Sequence, residues 1–103
     1  MTMNVNEVLR LAIGEKRCVR LRLAGKERRV CPHALGLKDG RPRVLAFQYA
    51  GASMSGLAPG GQWRAFFVHE IEDASFIDGP WRTGGRLVAK VEAMLDRVEY
   101  QVK

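Results

Sequence analysis

Apolar and polar positions alternate along this chain in short blocks. From residue 4 to 13, Val5, Val8, Leu9, Ala12 and Ile13 recur at the spacing of one helix face. Asn4 or Asn6 offers a cap for its first turn, and Gly14 suits its end. From 17 to 24 the period shortens to two. Val19, Leu21 and Leu23 fall on one side, Cys18, Arg20 and Arg22 on the other, which predicts a half-buried strand. A turn over Ala24-Gly25-Lys26-Glu27 leads to a second strand at 28–37, in which Pro32 marks an edge or a bend because it has no N–H for a ladder. Asp39-Gly40 centres another turn before a third strand at 43–50. Residues 51–62 hold four Gly, two Ser and one Pro and predict a flexible loop. A fourth strand is expected at 63–71 and a short fifth at 74–77, stopped by Asp78-Gly79-Pro80. Beyond Gly84-Gly85, Leu87, Val88, Val91, Met94 and Leu95 return to helical spacing, and the pattern predicts a helix at 86–96 followed by a strand at 98–102.

These elements predict a mainly β protein with flanking helices. The expected form is a small, strongly bent antiparallel β-barrel, with an N-terminal and a C-terminal helix plugging its ends. The competing arrangement is an open antiparallel sheet with both helices on one face. A chain of 103 residues makes one domain, here 1–103 with its core at 17–80.

Charge is unevenly distributed. Residues 1–43 carry eleven Lys/Arg against four Asp/Glu, whereas residues 44–103 carry six against seven. A basic half attracts anions and raises their local concentration, although net charge also serves solubility. No apolar run approaches the ~20 residues of a membrane span. The first residues, Met1-Thr2-Met3-Asn4, lack the pattern of a secretory signal. Two cysteines are too few for a disulfide framework and suit a reducing compartment. The expected location is the cytoplasm, with no membrane partner.

The string Arg29-Val30-Cys31-Pro32-His33-Ala34-Leu35-Gly36, then Leu45-Ala46-Phe47-Gln48-Tyr49, then Trp63-Arg64-Ala65-Phe66 running to Glu70-Ile71, resembles the WYL domain family over roughly residues 5–80. The Trp-Tyr-Leu tripeptide itself is absent, and Val44-Leu45-Ala46 or Arg43-Val44-Leu45 stands in its place. The resemblance implies a barrel of the Sm or Src-homology-3 kind. It also implies a role as a bacterial regulatory module in transcription or defence that binds nucleic acid or a nucleotide-like ligand through a basic face. Such domains usually follow a helix-turn-helix domain. Only about sixteen residues precede the first strand here, so a stand-alone module is expected.

The candidate ligand- and nucleic-acid-binding residues are Arg20, Arg22, Arg29, His33, Gln48 and Arg64. Arginine suits phosphate because its planar fork donates two parallel charge-assisted hydrogen bonds. Arg64 also occupies the Arg-x-Phe position of the resemblance. Phe47, Tyr49, Trp63 and Phe66 are available as stacking platforms, although in a small protein most rings belong to the core. Cys31 and His33 share a strand face and raise a thiolate–imidazole pair, but no orienting carboxylate or oxyanion hole accompanies them. Cys18, Cys31, His33 and His69 have spacings that match no usual zinc pattern. The expectation is therefore a binding module without catalytic residues, metal or cofactor. Its partner would be single-stranded nucleic acid or a nucleotide-like ligand, or else a second copy or a helix-turn-helix protein.

Overall fold

The computed structural model describes residues 3–52 and 56–103. Residues 53–55 of the predicted loop lie outside the described residues. The elements are α1 (Val5–Glu15), β1 (Cys18–Leu23), β2 (Lys26–Lys38), β3 (Arg41–Gly51), β4 (Gln62–Phe67), a 3-10 turn (Val68–Glu70), β5 (Asp73–Ile77), α2 (Leu87–Met94) and β6 (Arg97–Gln101).

Local chemistry sets most of these boundaries. At the start of α1, Asn4 accepts from the Glu7 amide at 2.8 Å, and the Glu7 carboxylate accepts from the Asn4 amide at 3.1 Å. This capping box satisfies amides that have no partner inside the helix. The helix runs through Gly14 and stops at Lys16, whose φ is 54°. The hairpins β1–β2 and β2–β3 turn on two residues each, Ala24-Gly25 and Asp39-Gly40, all with positive φ. Such turns match the twist of the strands they join.

All strand pairs are antiparallel, in the order β4-β3-β2-β1-β5, with β6 added to β2. The fold is thus mainly β, a six-stranded sheet with two helices. β4 and β5 end the path and, among the described residues, are not paired with each other, so the sheet is not closed by a ladder as the barrel expectation required.

β2 is the spine. One of its edges pairs β3 along most of its length. The other pairs β1 as far as Val30 and β6 from Ala34 onward. Pro32 sits at this changeover, beside the bulge that leaves His33 unpaired against β3. A residue without an N–H is tolerated where the ladder is irregular. Gly36 lets β6 cross closely, because a Cβ there would run into the backbone carbonyl of Arg97.

Alternation along the strands builds two cores. Val19, Leu21, Val30, Val44, Ala46 and Phe66 face α1, which contributes Val8, Leu9, Ala12 and Ile13. Ala34 and Leu45, each adjacent in sequence to a residue of the first core, face α2, which contributes Val91, with Leu95 beside it. The helices therefore cover opposite faces of the sheet, which differs from the open-sheet alternative with both on one face. Between β5 and α2, residues 78–86 cross the α2 face as an irregular strap.

Candidate anion-binding site

The arginines named from the sequence divide between the two faces. Val19, Leu21 and Val30 are core residues on the α1 side, so Arg20, Arg22 and Arg29 point away from it. Arg20 lies opposite Arg29 on β2 and opposite Ser75 on β5, with Nη2 donating to the Ser75 hydroxyl at 3.2 Å. Arg22 is flanked by Glu27 and Asp73 across its two ladders. Glu27 also accepts from Nε of Arg29 at 3.1 Å. This row is therefore interleaved with carboxylates, which lowers its net field.

Arg64 is on the other face. It lies opposite Ala46, a core residue of the α1 side, and two positions before Phe66. The four arginines thus do not gather on one surface. Its charged neighbour is Arg28, which the sequence reading passed over in favour of Arg29. Arg28 lies opposite Leu21 and two residues from Val30, and so belongs to the α1 face. The signal was present in the alternation, since the residue two steps from Val30 shares its side. The Arg28 guanidinium sits 5.4 Å from the Phe66 ring centroid and donates to Oε1 of Gln48 at 3.3 Å. Its pKa is held below the ordinary arginine value by burial and by the like charge of Arg64. Its Nε is buried with no hydrogen-bond partner, and no carboxylate lies within ion-pair distance of it among the described residues.

Gln48 is fully buried. Its amide nitrogen donates to the carbonyls of Ala50 and Ala52, at 3.1 and 2.9 Å, so it ties down the start of the loop while its oxygen orients Arg28. Gln48 is thus a positioning residue whose polar atoms are engaged internally.

His33 lies on the opposite face, fully buried beneath the strap. Its Nδ1 is 2.6 Å from the Cys31 carbonyl and its Nε2 is 2.7 Å from the Thr83 hydroxyl. A carbonyl only accepts, so Nδ1 carries the proton and Nε2 accepts from Thr83. Burial pushes the His33 pKa down, keeping the ring neutral. The ring meets Trp63 edge-on at 4.8 Å and Trp81 at 4.6 Å. Trp63 donates to the Gly85 carbonyl at 2.8 Å. Gly84 fits there for lack of a side chain, since a Cβ would lie 2.7 Å from both Phe47 and Trp63. His33 is enclosed by protein and has no surface to offer a ligand.

The same strap covers the cysteines. Cys31 receives the Arg82 amide at 3.2 Å, and Arg82 stacks over Tyr49 at 3.9 Å. Burial pushes the Cys31 thiol up to about 12. The imidazole bonds the Cys31 carbonyl, and the hydrogen bonds of the Cys31 sulfur go to Cys18 and Arg82, so a thiolate–imidazole pair is not assembled. His69 is exposed, 3.9 Å from Glu70 and tilted against Phe67. Among the described residues, no three His, Cys, Asp or Glu side chains cluster to hold a metal, and no helix is long and apolar enough to cross a membrane.

Comparison with known proteins finds no matching family model, no similar curated protein and no similar solved structure.

Proposed function

We propose that this chain is a small regulatory binding module that takes a phosphate-bearing ligand between Arg28 and Arg64. The observation that carries this reading is the Arg28 site. The Arg28 guanidinium is partly buried, faces a second positive charge, and has a buried Nε without an acceptor. Two like charges side by side favour an anion that bridges them. A phosphate supplies both the charge and the acceptors. The outward row of Arg20, Arg22 and Arg29 adds a weaker, carboxylate-diluted field for a longer polyanion.

The candidate rings are largely spent. Phe47 and Phe66 are buried, Trp63 packs on His33 and Phe47, and Tyr49 lies under Arg82. Recognition therefore rests on phosphate rather than on base stacking, and the reading implies low sequence preference. The resemblance to WYL domains supports the same class. Under this reading, Arg64-Ala65-Phe66 is the motif that brings a cation and a ring to one face.

A thermal-shift titration with inorganic phosphate, a nucleoside monophosphate and a short single-stranded oligonucleotide, each at two salt concentrations, tests this. A ligand that binds only the folded form raises the melting temperature. The shift should shrink as salt rises, because bound phosphates release counterions. Absence of any shift at low salt overturns the reading.

A second reading, a self-association module, is favoured by β6. All five of its residues are exposed, including Val98 and Tyr100, and its outer edge has no strand partner among the described residues. Sedimentation of a monomer at high concentration removes it.

A further inference from the structure

The two cysteines, 13 residues apart in sequence, meet in space. Val19 lies opposite Val30 at the last pair of the β1–β2 ladder, and Cys18 and Cys31 stand one residue beyond it on the two strands. Their sulfurs are 3.6 Å apart and both side chains are buried. Directly opposed antiparallel residues have Cα separations of ~4.5–5.5 Å, inside the range that a disulfide spans. Closing the bond requires the sulfurs to approach by roughly 1.5 Å, to the usual S–S length.

The hydrogen bonds around the sulfurs run in one direction. The Arg82 amide donates to Cys31, and the Cys18 sulfur lies 3.4 Å from the Pro80 carbonyl and 3.6 Å from that of Gly79. Carbonyls only accept, so the Cys18 proton points to the strap, and the Cys31 proton is left to point at Cys18. The reduced pair thereby helps to hold down the strap that carries Trp81 and Thr83 over His33.

We propose that Cys18 and Cys31 are a reversible modification site that closes to an intrachain disulfide on reaction with a hydroperoxide and releases the strap. With hydrogen peroxide the first thiol, having lost its proton, attacks one peroxide oxygen and the O–O bond breaks. The products are a sulfenic acid and a hydroxide that takes up the proton to become water. The second sulfur then attacks the sulfenic sulfur, the S–O bond breaks, and the departing hydroxide leaves as water with the second thiol proton. Two electrons pass from the sulfurs to the peroxide. The Gly79 and Pro80 carbonyls then lose their only donor from this pair. Because burial holds the Cys31 thiol near 12, attack waits until the strap lifts and admits the oxidant. The oxidation rate therefore reports strap opening.

The experiment treats the full chain with hydrogen peroxide, follows intact mass and tryptophan fluorescence, and maps peptides without reduction. The expected product has lost two hydrogen atoms, contains a Cys18–Cys31 cross-linked peptide and is restored by dithiothreitol. Peptide mapping separates it from oxygen gained at the four methionines. Both tryptophans of the chain flank His33, so their emission should shift to the red in step with the cross-link. Thr83→Val, which removes the strap's hold on His33, should speed cross-linking several-fold. Both thiols remaining free, a disulfide between chains, or oxygen retained on one sulfur would each overturn the proposal. So would a cross-link that forms with no change in emission, since the strap would then be indifferent to it. Peptide mapping of the unsubstituted chain carries the result even where Cys18→Ser fails to fold. Loss of the phosphate response leaves this outcome unchanged, because no residue is shared.

Discussion

The Thr83 hydroxyl meets Nε2 of His33 at 2.7 Å, fifty positions away along the chain. That bond holds the imidazole in one neutral tautomer between two indoles. It has a pH consequence. In the unfolded chain His33 titrates near 6.5, and burial places its folded value below that. Its contribution to stability is complete above about 6.5 and is lost as the pH falls through the folded value. Urea titrations between pH 7.5 and 5 should show stability falling on acidification, with a slope of at most about 1.4 kcal/mol per pH unit for one proton. His33→Gln should flatten that slope. Asp96, held below the usual carboxylate range by the Asp39 amide and Lys38, keeps its contribution throughout this range and loses it only as the pH falls below about 4.

Arg64→Gln separates binding from folding. Removing one of two like charges relieves Arg28, and glutamine keeps a polar group in place of the guanidinium, so the melting temperature should change little. Affinity for a phosphate-bearing ligand should fall about tenfold or more, the loss expected for a charge-assisted hydrogen bond of about 1.5–3 kcal/mol. Isothermal titration of both proteins, with melting curves alongside, checks that affinity falls while stability holds. A matching loss of stability would make Arg64 a structural residue.

Gly36→Ala should detach β6. The new methyl group would occupy the place of the Arg97 backbone carbonyl, and the backbone there has no flexible side chain to yield. A cost of about 1–3 kcal/mol is expected for such overpacking. Hydrogen exchange should show lost protection at the Asp96 and Val102 amides, which bond to Leu37 and His33 carbonyls.

Asn4→Ala removes one half of the α1 capping box and should cost about 1 kcal/mol, read as a fall in chemical-denaturation midpoint. The buried face of Val8, Leu9, Ala12 and Ile13 keeps the helix docked, so its circular dichroism at low denaturant should be retained.

The strands and both helices were legible because period two and period 3.6 are written locally in the apolar positions, except that the fourth strand, expected to reach Ile71, ends at Phe67, where a 3-10 turn over Val68–Glu70 takes over. Arg20, Arg22 and Arg29 were placed on one face by alternation alone. What could not be read was which face Arg64 joins, since that depends on the register of β4 against β3. Nor does any local pattern reveal that Trp81 and Thr83, in a segment of breakers, fold back across the sheet to seal His33. Pro32 signalled a bend, whereas the structure uses it where one long strand exchanges neighbours.

That exchange has a consequence for synthesis. β2 emerges from the ribosome early, with β1 and β3 close behind to zip against it, but the strand that covers its edge from Ala34 to Leu37 is made some sixty residues later. During that interval the nascent chain presents an unpaired, largely apolar ribbon, the kind of template on which neighbouring chains pair. Release of a chain stalled before residue 97 should yield inclusion bodies, while the same chain with β6 appended should remain dispersed.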